Sequence, residues 1–479
     1  MLFRSNASIA KLFMVVVLLF ALLIVWTSRW TVFESASLAA NPLNRRTIVD
    51  ELRVKRGRIL ADDGTVLAKS VPGPQQTWTR TYPTNSLFAQ PVGYFNALEG
   101  QAAALERSRG VALQGIQTGL SSVFGQLGSS LRVGDDVHTT LDPKAQRLAQ
   151  QLLAGRAGAV VALNPQTGAV KVLYADPSYD DNHPNATGPG ISTFDNATQS
   201  GYPPGSTFKV VTAAAAIDSG RYTPNSIVNG KSPVTISGVP LSNDNNQNFG
   251  PIDLTTALTY SVNTVWAQVA ESLGRGTMTR YMKRFGFYAK PPIDLPTDEL
   301  NVSHPQGPNG TFYRPGSPNE DIGRIAIGQG GLLVTPLQMA MVASAVANGG
   351  KLMAPRLTSS VVDQDGRTVE TVNPTVYRQV MKASTAAEVA QMMKKVVDEG
   401  TGTPAQLGSG ISFAGKTGTA SVGVTGSNLT QPWFIGFAPI ANPKVAIAVT
   451  IERSQGGFGG TVAAPIAKSI VQTLLAEGQ

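Results

Sequence analysis

The chain has 479 residues, 42% hydrophobic and 15% charged, with a net charge of +8 and no cysteine. That length and apolar share can bury a large core in more than one domain, and the lack of cysteine excludes disulfides, thiolate zinc sites and cysteine nucleophiles. The positive charge is dispersed, without a run of five or six lysines or arginines, which argues against nucleic acid as a partner. His138, His183 and His304 are too scattered to seat a metal, so neither metal nor other cofactor is expected.

In chain order, Leu12 to Ser28 is an uncharged apolar run between Lys11 and Arg29, long enough to cross a bilayer. Arg4, Lys11 and the small residues Ser37-Leu38-Ala39 also fit a cleavable signal, but the run is long for a signal core. The expectation is a cytoplasmic tail at 1–9, a single-pass anchor at 10–29 in the cell membrane, and an exported remainder working without cytosolic ATP. Residues 30–150 mix short strand-like pieces with polar turns, among them a hairpin turning at Asp63-Gly64, and read as a small, mainly β, non-catalytic module. A helix starts near Asp142-Pro143. From 151 to 479 the pattern is α+β: two apolar strands around a Pro-Gln-Thr-Gly turn after Gly158, an alanine-rich helical middle, the strands PWFIGFAPI and KVAIAVTIE, and a last helix with Pro465 in its first turn. This predicts an antiparallel sheet flanked by helices.

Three short motifs carry chemistry. In Ser206-Thr207-Phe208-Lys209, a helix of small residues begins at the serine after Pro-Pro-Gly, and the spacing puts Ser206 and Lys209 on one face. The helix N-terminus favours an oxyanion at Ser206, and a buried lysine beside other cations can act as a neutral base. In Ser261-Val262-Asn263, set in the helical stretch TTALTYSVNTVWAQVAESLG, the hydroxyl can relay a proton and the amide can hold a peptide. In Lys416-Thr417-Gly418, followed by Thr419, an apolar lead suggests an edge strand lining a cleft. There the lysine and threonine suit a carboxylate and Gly418 admits a ligand backbone. Decoys exist for two of these: Ser8-Ile9-Ala10-Lys11 and Ser317-Pro318-Asn319 have the same spacings in poorer contexts.

The order of the motifs resembles that of penicillin-binding proteins and class A β-lactamases. YPPGSTFK, TTLDP, GQGGLLVTPLQMA, AGKTGTA and WFIGFAP extend the likeness to class B penicillin-binding proteins over most of the chain. The RGRIL segment is similar to that family's N-terminal module, with Ala61 where an acidic residue is usual. The short length and the DELRVKRGRI lead look most like the small actinobacterial members. The resemblance implies a penicillin-binding, serine β-lactamase-like transpeptidase domain, with a five-stranded antiparallel sheet, flanking helices and a helical lobe, behind a dimerisation or pedestal module. It also implies a D,D-transpeptidase that cross-links peptidoglycan stem peptides ending in D-Ala-D-Ala and is acylated by β-lactams. By the same resemblance, Lys209 deprotonates Ser206, Ser261 and Lys416 move protons, and Asn263 holds the stem amide. Thr417 and Thr419 help Lys416 grip the terminal carboxylate, and the amides of Ser206 and Thr419 form the oxyanion hole. About 120 residues after the anchor are too few for a glycosyltransferase domain, so glycan polymerisation falls to a membrane partner of the shape, elongation, division and sporulation type.

Three rival readings remain beside this. Gly410 to Thr417 matches the Walker A pattern, but a phosphate loop follows a strand and opens a helix, and neither is expected here. A D,D-carboxypeptidase or β-lactamase-like hydrolase would need a general base, yet the position of the catalytic glutamate in the E-x-x-L-N register holds Thr297, with Glu299 nearby as a surface carboxylate. A non-catalytic penicillin-binding scaffold or receptor is the third.

Overall fold

The computed structural model describes residues 2–34, 46–116, 132–408, 410–422 and 428–477. Helix α1 (Leu2–Ser28) contains the apolar run, and within Ser8–Thr31 the side chains from Leu12 to Trp26 are largely bare of protein contact. At 1.5 Å per residue, 24 residues span about 36 Å, more than the ~30 Å of hydrocarbon in a bilayer. A helix apolar all round and unburied in protein matches lipid better than water.

Beyond it, β1 (Ile59–Leu60) and β2 (Val66–Pro72) form the expected hairpin, and β3 (Trp78–Thr81) pairs with β2. Strand β4 (Asp136–Thr139) runs parallel to β1. Helix α2 (Pro143–Leu153) starts where the sequence predicts: Asp142 Oδ1 accepts the Ala145 amide at 2.8 Å and proline fills the first position, a cap that satisfies an otherwise unpaired donor. Strands β5 (Gly158–Leu163) and β6 (Val170–Asp176) are the two predicted apolar strands. Helix α3 (Lys209–Asp218) is buried along its whole length, with α4 (Leu254–Thr259), α5 (Asn263–Leu273) and α6 (Pro336–Ala347) following.

Strands β7 (Thr358–Val362) and β8 (Thr368–Thr371) come next, and they do not join the sheet of their own half of the chain. β7 pairs with β4 and β8 with β7, completing a six-stranded N-terminal sheet in the order β8-β7-β4-β1-β2-β3. The module read at 30–150 is thus finished by residues far downstream. After α7 (Ala383–Asp398), strands β9 (Ala414–Ser421), β10 (Leu429–Ala438) and β11 (Val445–Ile451) build the second sheet, order β9-β10-β11-β5-β6, antiparallel throughout, and α8 (Ala463–Glu477) closes the fold. This is the antiparallel α+β arrangement expected, with β9 on the edge, its five strands joined by a sixth of two residues, Ser454–Gln455, that pairs with the start of β10.

Strand alternation divides the sheet's side chains between two cores. Val160, Ala162, Val172, Phe434, Ile447 and Val449 pack with α2 and α8 on one face. Ala159, Val161, Leu173, Trp433, Ile435 and Ala448 join the main core with α3, α5 and α6 on the other. Both faces being covered, the strands read as continuous apolar runs rather than alternating ones. The N-terminal module is held together internally by charge: Glu106, wholly buried, accepts from Arg56 and Arg80 at 2.8 and 2.5 Å.

Candidate active site

Ser206 sits in a single 3₁₀ turn, Gly205–Phe208, that leads without a break into α3 at Lys209. The helix therefore opens one turn later than the sequence suggests. Gly205 has φ +53°, and a Cβ there would come 3.1 Å from the Thr419 carbonyl carbon and oxygen. That closeness brings the serine turn onto β9 and requires glycine. Gly328 supports the turn from behind: its carbonyl accepts the Gly205 amide at 3.1 Å, and a Cβ on it would lie 2.0 Å from Gly205 O. Trp433 Nε1 donates to Pro203 O at 3.0 Å and Thr207 Oγ1 to Pro204 O at 2.7 Å.

Four oxygens surround Lys209 Nζ: Ser206 Oγ at 2.9 Å, Ser261 O at 2.7 Å, Ser261 Oγ at 3.2 Å and Asn263 Oδ1 at 2.6 Å. Among the described residues no carboxylate pairs with this amine, which is fully buried. Burial first, and then the Lys416 charge, push its pKa well below the ordinary lysine value. A neutral amine has two N–H donors and one lone pair. The donors match Ser261 O and Asn263 Oδ1, the two shortest contacts, which leaves the lone pair for the Ser206 hydroxyl proton. Lys416 Nζ, also buried, lies 3.0 Å from Ser261 Oγ and 3.0 Å from Thr417 O. Burial lowers its pKa to about 7, with Asp244 opposing. Ser261 Oγ thus bridges the two lysines.

The sequence placed Ser261 inside one long helix; the structure breaks that helix into α4 and α5. Ser261 occupies the break with φ +60° and is buried. A left-handed serine costs on the order of 1–3 kcal/mol and persists only where its surroundings fix it; here the break turns both its carbonyl and its hydroxyl onto Lys209. Nothing in T-Y-S-V-N announces the conformation, since each residue also tolerates a helix.

Asn263 opens α5, with Nδ2 donating to Ser242 O at 3.3 Å. Ser242 leads into the asparagine-rich segment Asn243 to Asn248, whose composition marks a loop. Its Asn243 is buried, accepts the Thr264 amide at 3.0 Å and donates to Gly230 O and Gln247 O. The loop therefore fixes the start of α5, and density of asparagine near a Ser-x-Asn motif was the signal available for it.

On β9, Lys416, Thr417, Gly418 and Thr419 pair with Ile435, Phe434, Trp433 and Pro432 of β10, leaving the other edge outside the sheet. A Cβ on Gly418 would come 2.8 Å from Pro204 O and 2.9 Å from Thr207 Cγ2, so this glycine serves the approach of the serine turn. Thr417 Oγ1 is 2.6 Å from Thr401 Oγ1, and Thr419 Oγ1 accepts the Gly459 amide at 3.2 Å. Ser206, Lys209, Ser261, Asn263, Lys416 and the Thr417 to Thr419 segment therefore meet in one place. Ser8 and Lys11 lie on α1, and Ser317 accepts the Asn319 amide within its own loop. Gly410 to Thr417 leads into a strand, not a helix. Glu299 is not simply a surface carboxylate: Oε2 accepts the Ala104 amide at 2.9 Å and Oε1 faces Arg107, so it ties the N-terminal module to the helical lobe.

A profile for the penicillin-binding protein transpeptidase domain matches residues 158–472, and one for the penicillin-binding protein A dimerisation domain matches 56–131. The chain is 31% identical to peptidoglycan D,D-transpeptidase PbpA of Mycolicibacterium smegmatis over 99% of its own length and 100% of the relative's. The ceftriaxone acyl-enzyme complex of penicillin-binding protein A from M. tuberculosis superposes with a TM-score of 0.78 at 28% identity, covering 89% of this chain and 100% of that one. A D,D-transpeptidase domain from Eggerthella lenta gives 0.75 at 30% identity, covering 89% and 99%. With its serine turn, Ser-x-Asn break and Lys-Thr-Gly edge strand in one cleft, the chain belongs to the penicillin-binding proteins, as a member with the transpeptidase fold of the class B type.

Proposed function

We propose that this chain is a serine D,D-transpeptidase that cross-links peptidoglycan stem peptides and is acylated by β-lactams. The observation that carries the reading is the buried Lys209 amine 2.9 Å from Ser206 Oγ, without a carboxylate partner among the described residues, its pKa pushed well below the ordinary lysine value by burial and by Lys416. Lys209 takes the Ser206 proton as Oγ attacks the carbonyl between the two terminal D-alanines. The amides of Ser206 and Thr419, on backbone brought together at Gly205, face the developing oxyanion. The C–N bond breaks, and the proton passes by way of Ser261, between the two lysines, to the departing D-alanine amine. The acyl group then rests as an ester on Ser206 until an amine of a second stem attacks it. Asn263 holds the donor's amide, and Lys416 with Thr417 and Thr419 holds its carboxylate against β9.

Residues 1–9 are assigned as a cytoplasmic tail, 10–29 as a single-pass anchor, 30–150 as the non-catalytic module and 151–479 as the catalytic domain outside the cytoplasm. The bare apolar helix supports the anchor. The size of the module supports a separate membrane glycosyltransferase as partner. Hydrolysis is the weaker reading, because Thr297 is no base and Glu299 is engaged with Ala104 and Arg107.

The test is intact mass of the full-length protein in detergent with benzylpenicillin, for wild type and Ser206→Ala. A long-lived adduct lost in the variant supports the transpeptidase. Turnover without an adduct favours the hydrolase, and neither adduct nor turnover favours a scaffold.

A further inference from the structure

One charged group on the loop adjoining the site is used by no step above. Asp244 stands on the loop that fixes α5, one residue after Asn243, whose four hydrogen bonds to Ser232, Gly230, Gln247 and Thr264 hold the loop's base. Asn245 and Asn246 both adopt left-handed conformations, φ +52° and +54°, and turn the loop outward just beyond it. Asp244 is exposed and, among the described residues, forms no ion pair. Its charge opposes the lowering of the pKa at both Lys209 and Lys416. Further along the same loop Phe249 stacks on the exposed Tyr260, which precedes Ser261 in the chain, at 6.3 Å between rings. A carboxylate on the loop that abuts Asn263 and Thr264, next to a site whose other charges are lysines, has no use for the donor, which brings a carboxylate of its own. It has a use for a cation.

We propose that Asp244 is an acceptor-binding residue, holding the ammonium group of the incoming stem at the mouth of the cleft and so selecting cationic amines over water and neutral nucleophiles. This rests on the transpeptidase reading and extends it to the second substrate. The acceptor arrives as an alkylammonium ion, pairs with Asp244 and sheds one proton to solvent. The free amine then attacks the Ser206 ester; the N–C bond forms, the C–Oγ bond breaks, and a second amine proton returns through Lys209 to Ser206 Oγ. Phe249 and Tyr260 offer the acceptor's methylene chain an apolar face.

The experiment partitions the acyl-enzyme. Full-length protein in detergent is acylated with an acyl-D-alanyl thioester, and three products are measured at about pH 7.5: the acid from water, the hydroxamate from uncharged hydroxylamine, and the amide from the cationic side-chain amine of Nα-acetyl-lysinamide. Asp244→Asn is expected to lower the amide-to-acid ratio about fivefold, the upper range of an exposed ion pair, while the hydroxamate-to-acid ratio and benzylpenicillin acylation stay within about twofold. Asp244→Glu is expected to keep most of the preference, and added salt to reduce it in wild type. An unchanged amide ratio, an equal fall in amide and hydroxamate, or a shift of the acylation pH profile in place of the partition would each overturn the assignment. Failure of wild type to be acylated at all would instead remove the transpeptidase reading beneath it.

Discussion

Replacing Lys416 by methionine tests the cost of the buried amine directly. Lys416 drops from an ordinary 10.5 to about 7 inside the fold. The unfolded chain keeps this proton up to its ordinary value, so between those limits it binds more protons than the native state and folding is penalised. At pH 7 the penalty is about 4 kcal/mol; near pH 9.5 it shrinks to about 1 kcal/mol. Methionine has nearly the same volume and no charge, but it forgoes the contacts at 3.0 Å to Ser261 Oγ and Thr417 O, each a net contribution of about 1 kcal/mol. Lys416→Met should therefore stabilise the protein by about 2 kcal/mol at pH 7, roughly 3 °C in melting temperature for a domain of this size, and destabilise it by about 1 kcal/mol near pH 9.5, where the two lost contacts outweigh the remaining penalty. The assay is thermal unfolding of the full chain in detergent at both pH values, with benzylpenicillin acylation, which should be lost, measured alongside. A variant that melts below wild type at pH 7, or a gain that grows with pH, would refute the account of Lys416 as a costly group kept for chemistry.

The neighbouring amine gives a kinetic counterpart. Because the Lys416 charge helps to depress Lys209, Lys416→Gln should raise the Lys209 pKa and move the acid limb of any residual acylation to higher pH; a limb that stays or moves down contradicts the coupling. In the N-terminal sheet, Glu106→Gln leaves Arg56 and Arg80 buried without a counter-charge, which should cost about 3–5 kcal/mol. Proteolysis of the N-terminal module before the catalytic domain would report it, and unchanged resistance would refute it.

How much of this was readable beforehand differs by kind of interaction. The local signals held: Asp142-Pro143 did start a helix, the strands flanking the Pro-Gln-Thr-Gly turn did pair, and the three motifs did converge although Ser206 and Lys416 are more than two hundred residues apart. What escaped was set by distant partners. Ser261 is left-handed because Lys209 and α5 hold it, not because its neighbours break helices. The pairing of β7 with β4 depends on a strand edge far back in the chain, and 358–362 taken alone carries no trace of it. Glu299 looked idle because its partner, the Ala104 amide, belongs to another lobe. Decoy motifs failed for the complementary reason, having the right spacing on elements that nothing brings to the cleft.

The crossing of β7 and β8 into the N-terminal sheet also orders events in time. A chain made from its N-terminus presents β1 to β4 early, yet their sheet lacks two strands until residues 358–371 have followed. Long-range pairing of this kind is slow and leaves an open strand edge meanwhile. The early-emerging module must therefore wait, incomplete, for a late part of the enzyme, so that a chain stalled before residue 371 yields neither a finished module nor a finished catalyst. The module that follows α1 in the chain would be among the last parts to close.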